Sequence, residues 1–313
     1  MISLGLIGCG THCRGNHAPA LSQYAQDHPD RLRLAAVCDL DRGKAEQFAS
    51  ACGFGAAYAD YVEMLEAEIL DGVVVVMPIE LTAGLAIDLM KRGVPTTVEK
   101  PMGYTLDEVR EIVKIAEETG TANMVSVNRR FEPVIRLGVD WVREQGPIRY
   151  VRASILRHGR REDFFVSGTA IHPIDTLREI GGNFAGYDLK TMDGETPWYH
   201  VDFTYETGAL ATLDILPSDG SVEEGYEIYG ENYRVDIRVE GSADPHLLCW
   251  KENELVLEKR PAPDEPPYVR LGPYAETHEF VTALAEGRPP WPSVGEVFPS
   301  VEVAYTLDPS KYA

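Results

Sequence analysis

The sequence predicts an α/β chain in two parts: an N-terminal Rossmann domain with a parallel sheet over residues 1–126, and a C-terminal α+β domain with a large open, mainly antiparallel sheet over 127–313. Three observations predict it. In the first part, short apolar runs alternate with amphipathic segments, the pattern of strands joined by helices in a parallel sheet. In the second, apolar and polar residues alternate one by one around turn residues, as in antiparallel hairpins with one buried face. At 313 residues and 44% hydrophobic content, the chain also exceeds what one ordinary core accommodates.

Strands are expected at 2–7, 34–37, 73–77, 96–98 and 122–125. The four valines at 73–76 lack polar alternation, as a central strand covered on both faces requires. Thr105 and Glu108 form a capping box that starts a helix running to about Glu118, and Gly120 ends it. A helix at 133–144 stops at Gly146 and Pro147, and a strand follows at 148–156. Val201, Phe203 and Tyr205 alternate with polar residues, 206–208 turns the chain, and Ala211, Leu213 and Ile215 alternate again. Segments 233–240 and 246–258 continue this pattern, with a turn at Asn253. A helix at 274–286, a proline-rich bend at 289–292 and a last helix near 296–305 can return to pack on either domain, the first included.

A formal net charge of −21 repels phosphate backbones and anionic headgroups, so neither nucleic acid nor a membrane surface is an expected partner. Local basic clusters can still hold a small anion. The five cysteines contain no CxxC pair, and no ligand cluster stands out at a diagnostic spacing, so no metal is expected. Reduced thiols and a first segment that reads as a strand rather than a signal peptide point to the cytoplasm. No apolar run approaches the roughly 20 residues of a membrane span.

The first strand runs into GLIGCGTHCRG, with Gly8, Gly10 and Cys13 at the three positions of a GxGxxG fingerprint. Gly8 permits a tight turn; Gly10, followed by Thr11, lets the backbone approach a pyrophosphate. Cys13 departs from the third glycine; a small thiol there should loosen helix-to-strand packing rather than block the cofactor, and a glycine turn without ligand is the competing reading. Asp39 ends the second strand, where a carboxylate accepts the adenosine ribose hydroxyls and repels a 2′-phosphate. That favours NAD, while Arg42 nearby leaves NADP open; a helix cap is the structural alternative for Asp39. The strand at 96–98 delivers Glu99, Lys100 and Pro101 to the carboxyl edge of the sheet, where open α/β folds bind ligands.

Together with the first strand, Asp39 and the NRRFEP run at 128–133, this EKP tripeptide resembles the Gfo/Idh/MocA family of sugar and cyclitol dehydrogenases. The resemblance implies NAD-dependent oxidation of a secondary alcohol on a sugar, sugar derivative or cyclitol. Glu99 and Lys100 would then lie at the cofactor, with Lys100 also touching the reacting hydroxyl. It further implies a homodimer or homotetramer formed through the C-terminal sheet. The family's DxxxHxxD signature corresponds here to GTAIHPID: His172 and Asp175 match, and Gly168 replaces the first Asp. His172, with a reference pKa of about 6.5, is the expected general base, and Asp175 lies one turn on, on the same helical face. Glu162 or Asp163 is a candidate substitute for the missing Asp.

RHGRRED supplies the one dense basic cluster of an acidic chain, so Arg160 and Arg161, with Arg129 of NRRFEP, are candidates for gripping an acidic substrate. Pairing with Glu162 and Asp163 is the alternative for the loop. Two other functions stay open: a glycosidase that oxidises its sugar transiently and retains NAD, and a non-catalytic NAD- or sugar-sensing protein.

Overall fold

The computed structural model describes residues 1–162, 165–239 and 241–307. It divides into two compact units, Met1–Asn128 with Pro267–Phe298, and Arg129–Pro266 with the chain from Pro299 on. The division thus falls two residues beyond the one expected from sequence, and a late segment belongs to the first unit.

The first unit carries strands β1 (Ile2–Ile7), β2 (Leu32–Cys38), β3 (Ala56–Tyr58), β4 (Gly72–Val75), β5 (Thr96–Glu99) and β6 (Asn123–Ser126). They form one parallel sheet in the order β3-β2-β1-β4-β5-β6. Between them run α1 (Thr11–Gly15), α2 (His17–Asp27), α3 (Arg42–Cys52), α4 (Tyr61–Ala67), α5 (Ile79–Lys91) and α6 (Leu106–Thr119). The order reverses between β1 and β4, so the carboxyl ends of these two strands flank the crevice at which doubly wound sheets bind ligands. The capping box at Thr105 and Glu108 forms as expected, and Gly120 closes α6 in a left-handed conformation.

Helices α9 (Pro267–Arg270) and α10 (Pro273–Glu286) complete this unit. Phe280 of α10 is buried, and Val125 of β6 donates its N–H to the Pro292 carbonyl at 2.8 Å. These contacts make 267–298 part of the first core.

In the second unit, α7 (Pro133–Arg143) is followed by β7 (Ile148–Leu156), α8 (Ile171–Gly181), β8 (Phe184–Met192), β9 (Trp198–Tyr205), β10 (Leu210–Leu216), β11 (Glu223–Gly230), β12 (Tyr233–Arg238), β13 (His246–Lys251) and β14 (Glu254–Lys259). The eight strands order as β14-β13-β12-β11-β7-β10-β9-β8, antiparallel except for the pair β7–β10. Val201, Phe203 and Tyr205 of β9 and Ala211, Leu213 and Ile215 of β10 are buried, as their alternation requires. The opposite face is polar: His200 bonds Asp214 at 2.7 Å, and Lys190 bonds Asp202 at 2.9 Å. A final helix, α11 (Val294–Thr306), runs through Pro299.

Three strands escaped the sequence reading. β3 has three residues, β8 exposes most of its length, and β11 buries two glutamates.

Candidate active site

In the first unit, the turn after β1 is shaped by backbone contacts. Gly8 has φ +100°, and a Cβ there would stand 2.0 Å from the Val76 carbonyl oxygen, so no other residue fits. Gly10 differs: a Cβ would meet nothing within 4 Å. The fold therefore does not itself require glycine at this position, and it leaves room for a ligand to approach the backbone. Thr11 follows as the exposed first residue of α1. Cys13, at the third fingerprint position, is fully buried, and burial pushes its thiol far above the usual range.

These residues border a cavity of about 670 Å³ lined by Gly8, Gly10, Asp39, Lys44, Met77 and Pro78 among others, within the size range of small-molecule and cofactor sites. Asp39 Oδ2 accepts the Cys9 N–H and the Lys44 ammonium, each at 2.9 Å, and Oδ1 accepts the Asp41 N–H at 3.2 Å. Burial raises the Asp39 pKa, but Lys44 and the two backbone donors outweigh it and hold the carboxyl below its ordinary value. The helix cap is Asp41, whose side chain accepts the Lys44 N–H, so capping does not explain Asp39. An ionised carboxylate at the end of β2, a turn open at Gly10 and a cavity of this size fit a dinucleotide.

Lys100 lies half-buried just past β5, at the carboxyl edge of the same sheet. Its neighbour Glu99 is buried and accepts from His17 Nε2 at 2.6 Å and His12 Nε2 at 3.2 Å. Burial opposes its charge, yet the two imidazoles hold the carboxyl well below the usual range. Sequence reading missed both histidines, which lie 82 and 87 positions from Glu99.

Glu276 of α10 adds a second buried acid, hydrogen-bonded by Ser126 Oγ at 3.0 Å. Burial first, then the nearby Glu99 charge, raise its pKa well above the ordinary value. Because the folded pKa exceeds the unfolded value of about 4.3, the folded chain holds an extra proton between the two, and stability falls as pH rises through that window. Glu276→Gln is therefore expected to stabilise the chain, with a gain that grows by up to about 1.4 kcal/mol per pH unit within the window. Thermal melts at several pH values check this; a gain independent of pH would show that Glu276 does not titrate as described.

In the second unit, a π-helical turn at Val166–Ala170, which contains Gly168, runs into α8. His172 lies in the first turn of α8 and is 8% exposed. Asp175, expected beside it in the chemistry, spends both oxygens elsewhere. It accepts from Arg130 Nε at 2.7 Å, Arg130 Nη2 at 2.8 Å and Ser300 Oγ at 2.8 Å. Asp175 thus anchors the helix that carries His172.

Arg129 is likewise engaged. Its Nε and Nη2 donate to the two oxygens of Glu224 at 2.9 and 3.1 Å, and Nη1 lies 3.3 Å from Glu132. This leaves no nitrogen of the expected substrate contact uncommitted. Arg157 donates to Glu224 Oε2 at 2.6 Å and Tyr226 OH to Oε1 at 2.9 Å. Burial of Glu224 is outweighed by Arg129, then Arg157, then His172, so the carboxylate stays ionised far below the usual range. Glu224, absent from the sequence reading, therefore places a fixed negative charge within electrostatic reach of His172.

Arg160 pairs with Glu162, donates to Thr169 Oγ1 at 3.3 Å and lies 5.6 Å from the centre of the Phe165 ring. Arg161 is exposed and pairs with Glu195 at 2.5 Å. Glu162, one candidate substitute for the missing Asp, is the Arg160 partner; Asp163 lies outside the described residues. No helix among the described residues is long and apolar enough to cross a membrane.

Residues 2–128 match the Gfo/Idh/MocA oxidoreductase family, NAD-binding Rossmann fold. The chain is 34% identical to the 4-carboxy-2-hydroxymuconate-6-semialdehyde dehydrogenase of Sphingobium sp., over 91% of this chain and 95% of that protein. It is 27% identical to inositol 2-dehydrogenase 2 of Saccharopolyspora erythraea, over 74% and 70% respectively. Its fold is similar to that of a dehydrogenase from Chromobacterium violaceum, with a TM-score of 0.86 at 21% identity, covering 99% of this chain and 95% of the other. With a glycine turn, an ionised Asp39 and a cavity that fit a dinucleotide, the chain belongs to the Gfo/Idh/MocA family and is an NAD-binding oxidoreductase acting on CH–OH groups.

Proposed function

We propose that the protein is a dehydrogenase that oxidises a secondary alcohol of a sugar, sugar derivative or cyclitol. The observation that carries this reading is the open glycine turn beside Asp39, on the same sheet edge that ends in Lys100. The similarity to an inositol dehydrogenase supports the substrate class.

Bound NAD supplies the hydride acceptor. At the turn that Gly8 permits, Gly10 and Thr11 would offer backbone to the pyrophosphate, and Asp39 would accept the ribose hydroxyls in exchange for its bond to Lys44. The Lys100 ammonium donates to the substrate oxygen and holds the carbinol carbon in place. His172 takes the hydroxyl proton on its imidazole as the C–H bond breaks. Glu224 favours the imidazolium that results, in the place of the carboxylate that Gly168 lacks. Asp175 and Arg130 keep α8 in position.

A second reading of the substrate is favoured by the Sphingobium relative, whose name specifies a carboxylated semialdehyde. In it, the reacting CH–OH belongs to a hydrated aldehyde or hemiacetal, and Arg160 exchanges Glu162 for a substrate carboxylate.

NADH absorbance measured with NAD and a panel of inositols, neutral sugars, acidic sugars and carboxylated semialdehydes decides between these. Sustained NADH growth on a polyol, lost in Lys100→Ala, supports the first reading. Growth confined to carboxylated compounds and weakened by Arg160→Ala supports the second. Bound NAD with no turnover across the panel would defeat both and favour a retained cofactor or a sensor.

A further inference from the structure

His12, His17 and Glu99 come from three different elements of the first unit, α1, α2 and the end of β5, yet their ligand-capable atoms all lie within 4.8 Å of one another. We propose that these three side chains form a binding site for a divalent metal ion of the zinc class. The proposal goes beyond the dehydrogenase reading and does not depend on it.

Two imidazoles and a carboxylate make a donor set that zinc takes readily, with bonds of about 2.0–2.2 Å and a fourth position left for a further ligand. Tetrahedral bonds of that length set neighbouring ligand atoms about 3.3 Å apart. His12 Nε2 and Glu99 Oε1 already stand at 3.2 Å. His17 Nε2 stands at 2.6 Å from the same oxygen, a hydrogen bond whose proton occupies the place a cation would take. Metal binding would expel that proton and let the imidazole withdraw by less than about 1 Å.

The surroundings favour such an exchange. The Glu99 side chain is 9% exposed, and two imidazole nitrogens face one of its oxygens, an arrangement a dication would satisfy. The His12 side chain is 53% exposed, so an ion can enter past it and settle on the buried pair. The ion would tie the helix after the glycine turn to the strand that leads into Lys100.

The test is titration calorimetry of the full chain, stripped with a chelator and free of NAD, with Zn²⁺ and separately with Mg²⁺. The proposal expects one Zn²⁺ per chain with release of protons, and no Mg²⁺ binding, since Mg²⁺ demands octahedral oxygen ligands. His12→Ala, at a half-exposed position that leaves the core intact, should weaken Zn²⁺ binding at least about tenfold, and Glu99→Gln likewise. His158→Ala, at an exposed imidazole on the other unit, should leave it unchanged. Zn²⁺ should also raise the melting temperature of the parent chain but not of His12→Ala. Absence of Zn²⁺ binding in the parent chain, or binding equal in His12→Ala, would overturn the proposal.

Discussion

His172→Ala is expected to lower kcat on the best substrate by about 10²–10⁴-fold, the usual contribution of a positioned general base. This corresponds to about 3–5 kcal/mol of transition-state stabilisation. Binding of NAD should be unaffected, because the residues that shape the dinucleotide cavity belong to the first unit and His172 to the second. Fluorescence titration with NADH separates the two effects. The acid limb of the pH–rate profile should disappear with the imidazole, since the base is lost as pH falls through its pKa. A variant that retains parental kcat with the same acid limb would remove His172 from the chemistry.

The largest expected loss of stability follows from Glu224→Ala. That carboxylate is 2% exposed and accepts from Arg129, Arg157 and Tyr226. Removing it leaves two buried or nearly buried guanidinium groups short of their counter-charge, a change that costs about 3–5 kcal/mol. Against a total of about 5–15 kcal/mol, that is a large fraction. The folded pKa of Glu224 lies far below the unfolded one, so its stabilisation is present above the unfolded value and is lost as pH falls through the folded value. The gap between parent and variant in urea melts should therefore be full at neutral pH and narrow only in strong acid. A variant as stable as the parent at neutral pH would mean that the arginines find other partners.

Much of the first unit was legible because its signals are local. Gly8 and Gly10 follow their strand directly, and Thr105, Glu108 and Gly120 mark both ends of one helix. In the second unit, β9 and β10 announced themselves by strict alternation. β11 did not, because Glu224 and Glu227 occupy buried positions where an apolar residue is expected. Their presence is explained by arginines distant in sequence, Arg129 being 95 positions from Glu224 and Arg157 being 67.

The same distance obscured the site. Asp175 and Arg129 were read by residue type as chemical groups, whereas Arg130, Ser300 and Glu224 occupy their polar atoms. His12 and His17 carried no pattern of their own until β5 brought Glu99 to them.

The return of 267–298 to the first unit bears on how the chain is made. A ribosome that has released only the first 128 residues has released all six strands of the parallel sheet, but not Phe280 for its core or the Glu276 that Ser126 hydrogen-bonds. The second unit must likewise wait for Ser300 to reach Asp175. Neither half can mature ahead of the other during synthesis, so the nascent chain carries two unfinished cores until its final helices emerge.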